Sequence, residues 1–193
     1  MKKTVILFLL VLAALAAGCA AARPTHFYTL SPAALSPAAA PAGLSVSVGP
    51  VSVPALVDRP QMVLKTGPNR VFLAEFDRWA SPLKSEIARV VAENLTALLG
   101  ARQVTVFPRM TAAEASYRVA IDVLSFESVS GQAAALDAAW RVTSGKNGTS
   151  LEGRTTVAEA APDAGYAALA AAHSRALGKL SQEIAAAIRQ LDR

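Results

Sequence analysis

Cysteine is nearly absent from this 193-residue sequence: Cys19 stands alone, so no disulfide can close within the chain and the fold must rest on packing. Histidine is almost as scarce. His26 and His173 fall on different predicted elements, and neither has a cysteine or a carboxylate at zinc-ligand spacing, so no metal site is indicated. No Gly-x-Ser-x-Gly elbow sets a serine beside a base, and catalysis is not supported. Gly145-Lys-Asn-Gly-Thr-Ser150 holds the residue types of a phosphate loop in the wrong order and reads better as a hairpin turn. Lys and Arg are spread without a basic cluster or interleaved aromatics, which argues against nucleic acid as a partner. After residue 18 no long, strongly apolar run occurs, so the high alanine content does not mark a second membrane segment.

The first residues are informative. Met1-Lys2-Lys3-Thr4 precedes an uncharged run from Val5 to Leu15, and small residues follow up to Cys19, the three parts of a secretion signal. As a helix the run spans about 16 Å, against ~30 Å for a bilayer core, too short for a good membrane span. Leu15-Ala16-Ala17-Gly18-Cys19 resembles the bacterial lipobox. That resemblance implies a signal peptide of residues 1–18, cleavage between Gly18 and Cys19, and a diacylglycerol thioether with an N-acyl chain on Cys19; no other cofactor is expected. Each buried CH₂ contributes roughly 0.8 kcal/mol, so two or three acyl chains hold a protein firmly. Acylation also removes the anomaly of one free thiol in an exported chain. Ala20 follows Cys19 where an aspartate commonly retains such proteins in the inner membrane. A periplasm-facing protein of the cell envelope is expected, with the outer membrane favoured over the inner.

Without the leader about 175 residues remain, enough for one domain with a real core. The formal charge of +5 includes Lys2 and Lys3, which leaves about +3. Residues 19–25 read as a lipid-anchored tether and 26–193 as the domain, with a Pro/Ala-rich loop over 31–43. Strands are expected at His26 to Leu30, Leu44 to Val53 with an edge or bulge at Gly49-Pro50, Gln61 to Lys65 and Arg70 to Arg78. Further strands fall at Gln103 to Phe107, Tyr117 to Glu127, Leu136 to Thr143 and Leu151 to Val157; Asn147-Gly148 signals a type I′ turn between the last two. Ser81-Pro82 predicts a helix start, with Ser81 as N-cap, and Gly100 its left-handed end. Leu83, Ile87, Val90, Val91, Leu95, Leu98 and Leu99 form its apolar stripe. A second helix, from about Asp163 to Leu191, carries Tyr166, Leu169, His173, Leu177, Leu180, Ile184, Ile188 and Leu191 on one face. The expected class is α+β (mixed α/β), a single domain with about seven strands, mostly antiparallel, packed against two long amphipathic helices.

Several segments, taken in order, are similar to one family. They are Phe27-Tyr28-x-Leu30, Val48-Gly49-Pro50-Val51-x-Val53-Pro54, Asp58-Arg59-Pro60-Gln61-Met62-Val63, Arg78-Trp79-Ala80-Ser81-Pro82-Leu83, Glu93-Asn94-Leu95, Phe107-Pro108, Tyr117-x-Val119 to Phe126-Glu127, and Ala138-Ala139-Trp140. Together they resemble the ABC-type transport auxiliary lipoproteins, which include the paraquat-inducible C-type proteins of the Gram-negative envelope. The resemblance implies a non-catalytic subunit working with an ATPase, a permease and a mammalian-cell-entry (MCE) domain protein, in systems that resemble lipid or organic-solvent transporters linking the two membranes. Docking of such an assembly to the outer membrane is the leading reading, and a homo-oligomer is compatible with it. A lipid-binding carrier, with an apolar cavity beneath the helices, and a structural outer-membrane assembly lipoprotein are the alternatives. Asp58, Arg59, Arg78 and Trp79 are the candidate partner-binding residues, because charge and a large aromatic meet there as they do at interfaces. For Trp79 the competing expectation is a core residue beneath the first helix.

Overall fold

A computed structural model describes residues 23–33, 44–101, 103–108 and 115–193. The expected signal peptide, Cys19 with Ala20 to Ala22, and residues 34–43 of the Pro/Ala-rich loop lie outside the described residues. In order come β1 (His26–Tyr28), β2 (Ser45–Ser52), β3 (Gln61–Gly67), β4 (Arg70–Trp79), α1 (Leu83–Leu99), β5 (Gln103–Val106), β6 (Tyr117–Val129), β7 (Ala133–Ser144), β8 (Ser150–Ala160) and α2 (Tyr166–Leu191). The α+β class with two helices covering a sheet is the one that forms.

The strands differ in detail from the expectation. Among the described residues eight strands lie in two sheets, a three-stranded one ordered β1-β4-β3 and a five-stranded one ordered β5-β2-β6-β7-β8. β1 runs parallel to β4, and β2 parallel to both β5 and β6; only β3–β4, β6–β7 and β7–β8 are antiparallel. Alternating hydrophobicity identifies a strand but not its neighbour, so hairpin turns alone overstate the antiparallel share. β2 lies inside its sheet and absorbs Gly49-Pro50 as an irregularity between Val48 and Val51. Gly49 has φ +124°, and a Cβ there would meet Phe107 Cβ at 2.9 Å, so glycine is required twice over. The β7–β8 connection is longer than a type I′ turn: Gly145 to Thr149 separate the strands, and Gly148 takes positive φ while Asn147 does not.

The helices carry the core. Leu83, Ile87, Val90, Val91, Leu95 and Leu99 of α1 are buried, as are Leu169, His173, Leu177, Leu180, Ile184 and Ile188 of α2. They pack on the inward residues of the large sheet, among them Val46, Val48, Val119, Ile121, Leu136 and Val142. Pro82 rather than Ser81 caps α1, with no side-chain cap bond; its carbonyl accepts from Ser85 and Glu86 N–H, while Gly100 ends the helix at φ 58°. Leu95 is fully buried, so Leu95→Ala should lower the unfolding free energy by ~2–5 kcal/mol in denaturant melts. A loss below about 0.5 kcal/mol would place it on a surface.

After β1 the chain has no strand partner, and helix side chains supply its backbone bonds. Leu30 N–H donates to Glu86 Oε2 (3.2 Å), Ser31 N–H to Ser174 Oγ (3.0 Å) and Ala33 N–H to Asn94 Oδ1 (2.9 Å), while Arg89 Nη2 donates to Leu30 O (2.6 Å). Buried backbone donors require such partners. Gly178 permits the crossing, since a Cβ there would lie 2.7 Å from Ala33 Cβ. β1 is thereby fixed to both helices, and through it the start of the domain.

Candidate functional site

The loop from Pro54 to Pro60 turns tightly because the Pro54 carbonyl accepts from Val57 N–H (3.0 Å) and Asp58 N–H (3.1 Å). Its far end is clamped to the end of β4 by Trp79 N–H donating to Pro60 O (2.7 Å), and Ala80 N–H donates to Tyr28 O (2.8 Å) on β1. Three segments distant in sequence therefore meet where β4 gives way to α1. Between them is a cavity of about 520 Å³, lined by Phe27, Asp58 to Pro60, Arg78 to Pro82 and Lys84.

All four residues singled out in the sequence line it. Asp58 pairs with Lys84 at 3.4 Å, with both side chains around half exposed, so the pair contributes little to stability. Arg78 Nε donates to the Glu75 carbonyl at 2.8 Å and a second nitrogen lies 3.7 Å from the Glu75 carboxylate. Arg59 is half-buried, and its Nε is buried without a hydrogen-bond partner among the described residues. Three cations against one lining carboxylate make the cavity electropositive.

Trp79 is a core residue that also forms the cavity floor. It is 5% exposed, and its indole meets Phe126 and His173 edge-on, with centroids 6.2 and 6.4 Å away. It therefore packs against β6 and α2, within the same buried cluster as the inward residues of α1. His173 is stacked on Phe126 (3.7 Å, 8°) and its Nε2 lies 2.9 Å from Ser128 Oγ, whereas Nδ1 has no partner among the described residues. Burial pushes the imidazole pKa down to about 3, so the ring is neutral.

Lys84 and Phe27 were not foreseen as parts of the site. Lys84 reaches the loop from the first turn of α1, and Phe27 from β1, whose parallel pairing with β4 matches Phe27 to Arg78. Gly18 and Cys19 lie outside the described residues. Among the described residues no three His, Cys, Asp or Glu side chains gather to hold a metal, and no helix is long and apolar enough to cross a membrane.

Residues 28–185 match the ABC-type transport auxiliary lipoprotein component family, and the chain belongs to it. No curated protein matches the chain by sequence. Among solved structures, a protein of Xanthomonas campestris assigned to the DUF330 family is similar at TM-score 0.66 and 21% identity, over 86% of this chain and 98% of its own. An uncharacterised protein is similar at TM-score 0.71 and 18% identity, over 86% of this chain and 99% of its own. These likenesses establish the fold. A PelC dodecamer from Paraburkholderia phytofirmans aligns only at TM-score 0.42 and 16% identity, over 78% of this chain and 92% of its own.

Proposed function

We propose that this auxiliary component of an ABC transport system is a non-catalytic docking subunit, held on the outer membrane by acyl chains on Cys19 and engaging an MCE-domain partner through the Arg59–Arg78 cavity. The ATPase of the same system supplies energy to its permease, and lipid is the transported class. The single observation that carries this reading is the electropositive cavity with an aromatic floor, built by three segments and lined by Phe27 of β1, the strand that follows the expected tether. Arg59, Arg78 and Lys84 all line the cavity, so an acidic group entering from a partner meets three cations there. The rigid Trp79 floor adds no conformational cost on binding, a property of interface anchors.

Two observations favour docking over a lipid carrier. The space between helices and sheet is occupied by Leu95, Leu169, Leu177, Leu180 and Ile184, each fully buried. The tether is also short: residues 19–25 span at most about 25 Å, which prevents a shuttle across the periplasm.

Charge reversal tests the surface. Arg59→Glu with Arg78→Glu should leave thermal unfolding near that of the parent, yet weaken crosslinking to the MCE partner about tenfold or more and raise envelope sensitivity to detergent. Lys84→Glu, on the exposed rim, should act in the same direction without touching the buried Arg59 Nε. Full crosslinking and full detergent resistance in both variants would move the interface elsewhere.

A further inference from the structure

The seven exposed large hydrophobic residues among those described are unevenly placed. Phe27, Leu56, Val71, Phe72 and Phe76 belong to the three-stranded sheet or the loop feeding it, whereas only Phe107 and Leu124 belong to the five-stranded part. The small sheet is also the one from which the tether leaves.

Its two faces can be told apart. Tyr28, Asp77 and Trp79 point inward: Tyr28 Oη donates to Asp77 Oδ1 at 2.9 Å, its ring lies 6.0 Å from that of Tyr166, and Trp79 is buried. Side chains alternate along β1, so Phe27 points away from Tyr28 and its register partner Arg78 points with it, while Phe76, in the stretch where β4 shifts register against β3, is placed outward by its exposure. Phe27 is 65% exposed and Phe76 38%. Arg23, the first described residue, sets its guanidinium 5.3 Å from the Phe76 ring centroid. Only four peptide steps separate Arg23 from Cys19, a reach of at most ~14 Å. Acyl chains on Cys19 must therefore enter the bilayer close beside Phe76.

We propose that this outward face, with Phe27 and Phe76 at its centre, rests on the lipid surface itself, the two rings seated at headgroup depth and Arg23 among the phosphates. The proposal deepens the docking reading and rests on acylation of Cys19. Rings that would otherwise stay in water lose apolar exposure there, aromatic side chains favour the interface, and a cation beside them complements anionic headgroups. The contact fixes the orientation of the domain as well as its distance. Phe27 also stands on the rim of the cavity, and Arg78 lies two residues beyond Phe76 along β4, so the mouth opens beside the headgroups, where a membrane-bound partner would meet it.

The test uses the full-length acylated protein in vesicles of phosphatidylethanolamine and phosphatidylglycerol doped with brominated phosphatidylcholine. Phe27→Trp adds a reporter on the proposed face and Phe107→Trp one beyond β5, each read against the parent, whose Trp79 and Trp140 set the baseline. The emission added at position 27 should shift to the blue and lose its greater part to the bromines, while that added at position 107 should not. Equal quenching at both positions, or none at position 27, overturns the proposal. Emission at position 27 that is shielded from acrylamide yet blind to bromine overturns it too, and means that protein covers this face. Flotation of the same vesicles separates the two claims: protein that fails to float refutes the anchor, whereas protein that floats without quenching refutes only the contact.

Discussion

A Cys19→Ala variant is expected to incorporate no labelled palmitate and to leave the membrane fraction, while its domain unfolds cooperatively at the temperature of the delipidated parent. The thiol is the sole cysteine sulfur in the chain, so no second position can accept the diacylglycerol. Two or three acyl chains, at roughly 0.8 kcal/mol per buried CH₂, dominate any contribution from Phe27 and Phe76, and membrane residence should be all or none. Folding is independent of the anchor because the core, from Leu30 to Ile188, lies entirely beyond it. Equal labelling of the variant would end the lipoprotein reading.

The delipidated domain is expected to lose stability as pH falls from about 6.5 towards 3, with His173 as the cause. The imidazole has a folded pKa of about 3 against an ordinary value of 6.5. The unfolded chain therefore binds a proton that the folded one refuses, and stability rises with pH across that window by up to about 1.4 kcal/mol per unit. Protonation would bury a charge and give Nδ1 an N–H without an acceptor. Asp137 and Glu159, whose carboxyls are held low by Arg154 and by Lys179 with Arg175, add to acid loss only as pH falls through the ordinary carboxylate range. The interval from pH 6.5 to about 4.5 therefore lies above these carboxylates, and the comparison with a His173 variant reads the contribution of that residue there. His173→Gln should flatten the slope there in urea titrations, at a cost of about 1 kcal/mol at pH 7 from the lost stack on Phe126. An unchanged slope would remove His173 from this role.

Much of this was legible in the sequence, and the remainder was hidden for physical reasons. The two helices declare themselves because burial of one face imposes a period of 3.6, and every large apolar residue named for α1 except the half-buried Leu98 is buried. Strand partners stayed hidden: the parallel neighbours of β2 depend on segments more than fifty residues away. The Asp58-Arg59-Pro60 turn and the Arg78-Trp79 strand end were visible as chemistry, yet what brings them together, the Trp79–Pro60 backbone bond and the pairing of Gln61 with Arg78, is not. Lys84, in the first turn of α1, joins the site only through its pairing with Asp58 across the fold. Asn94 was one letter of a family pattern until its amide was found joining Ala33 to Ser181. Whether Trp79 is core or surface is undecidable from residue type, and it proves to be buried while flooring the cavity.

Docking is tested most directly by crosslinking the acylated protein in native membranes, purifying it and identifying its companions by mass spectrometry. An MCE-domain protein should be recovered in stoichiometric amount, crosslinked near Arg59 and Arg78, with the permease and ATPase of the same system at lower yield. Recovery of the lipoprotein without any of these, together with stoichiometric extraction of phospholipid by the purified, delipidated domain, would contradict the account and make the protein a carrier.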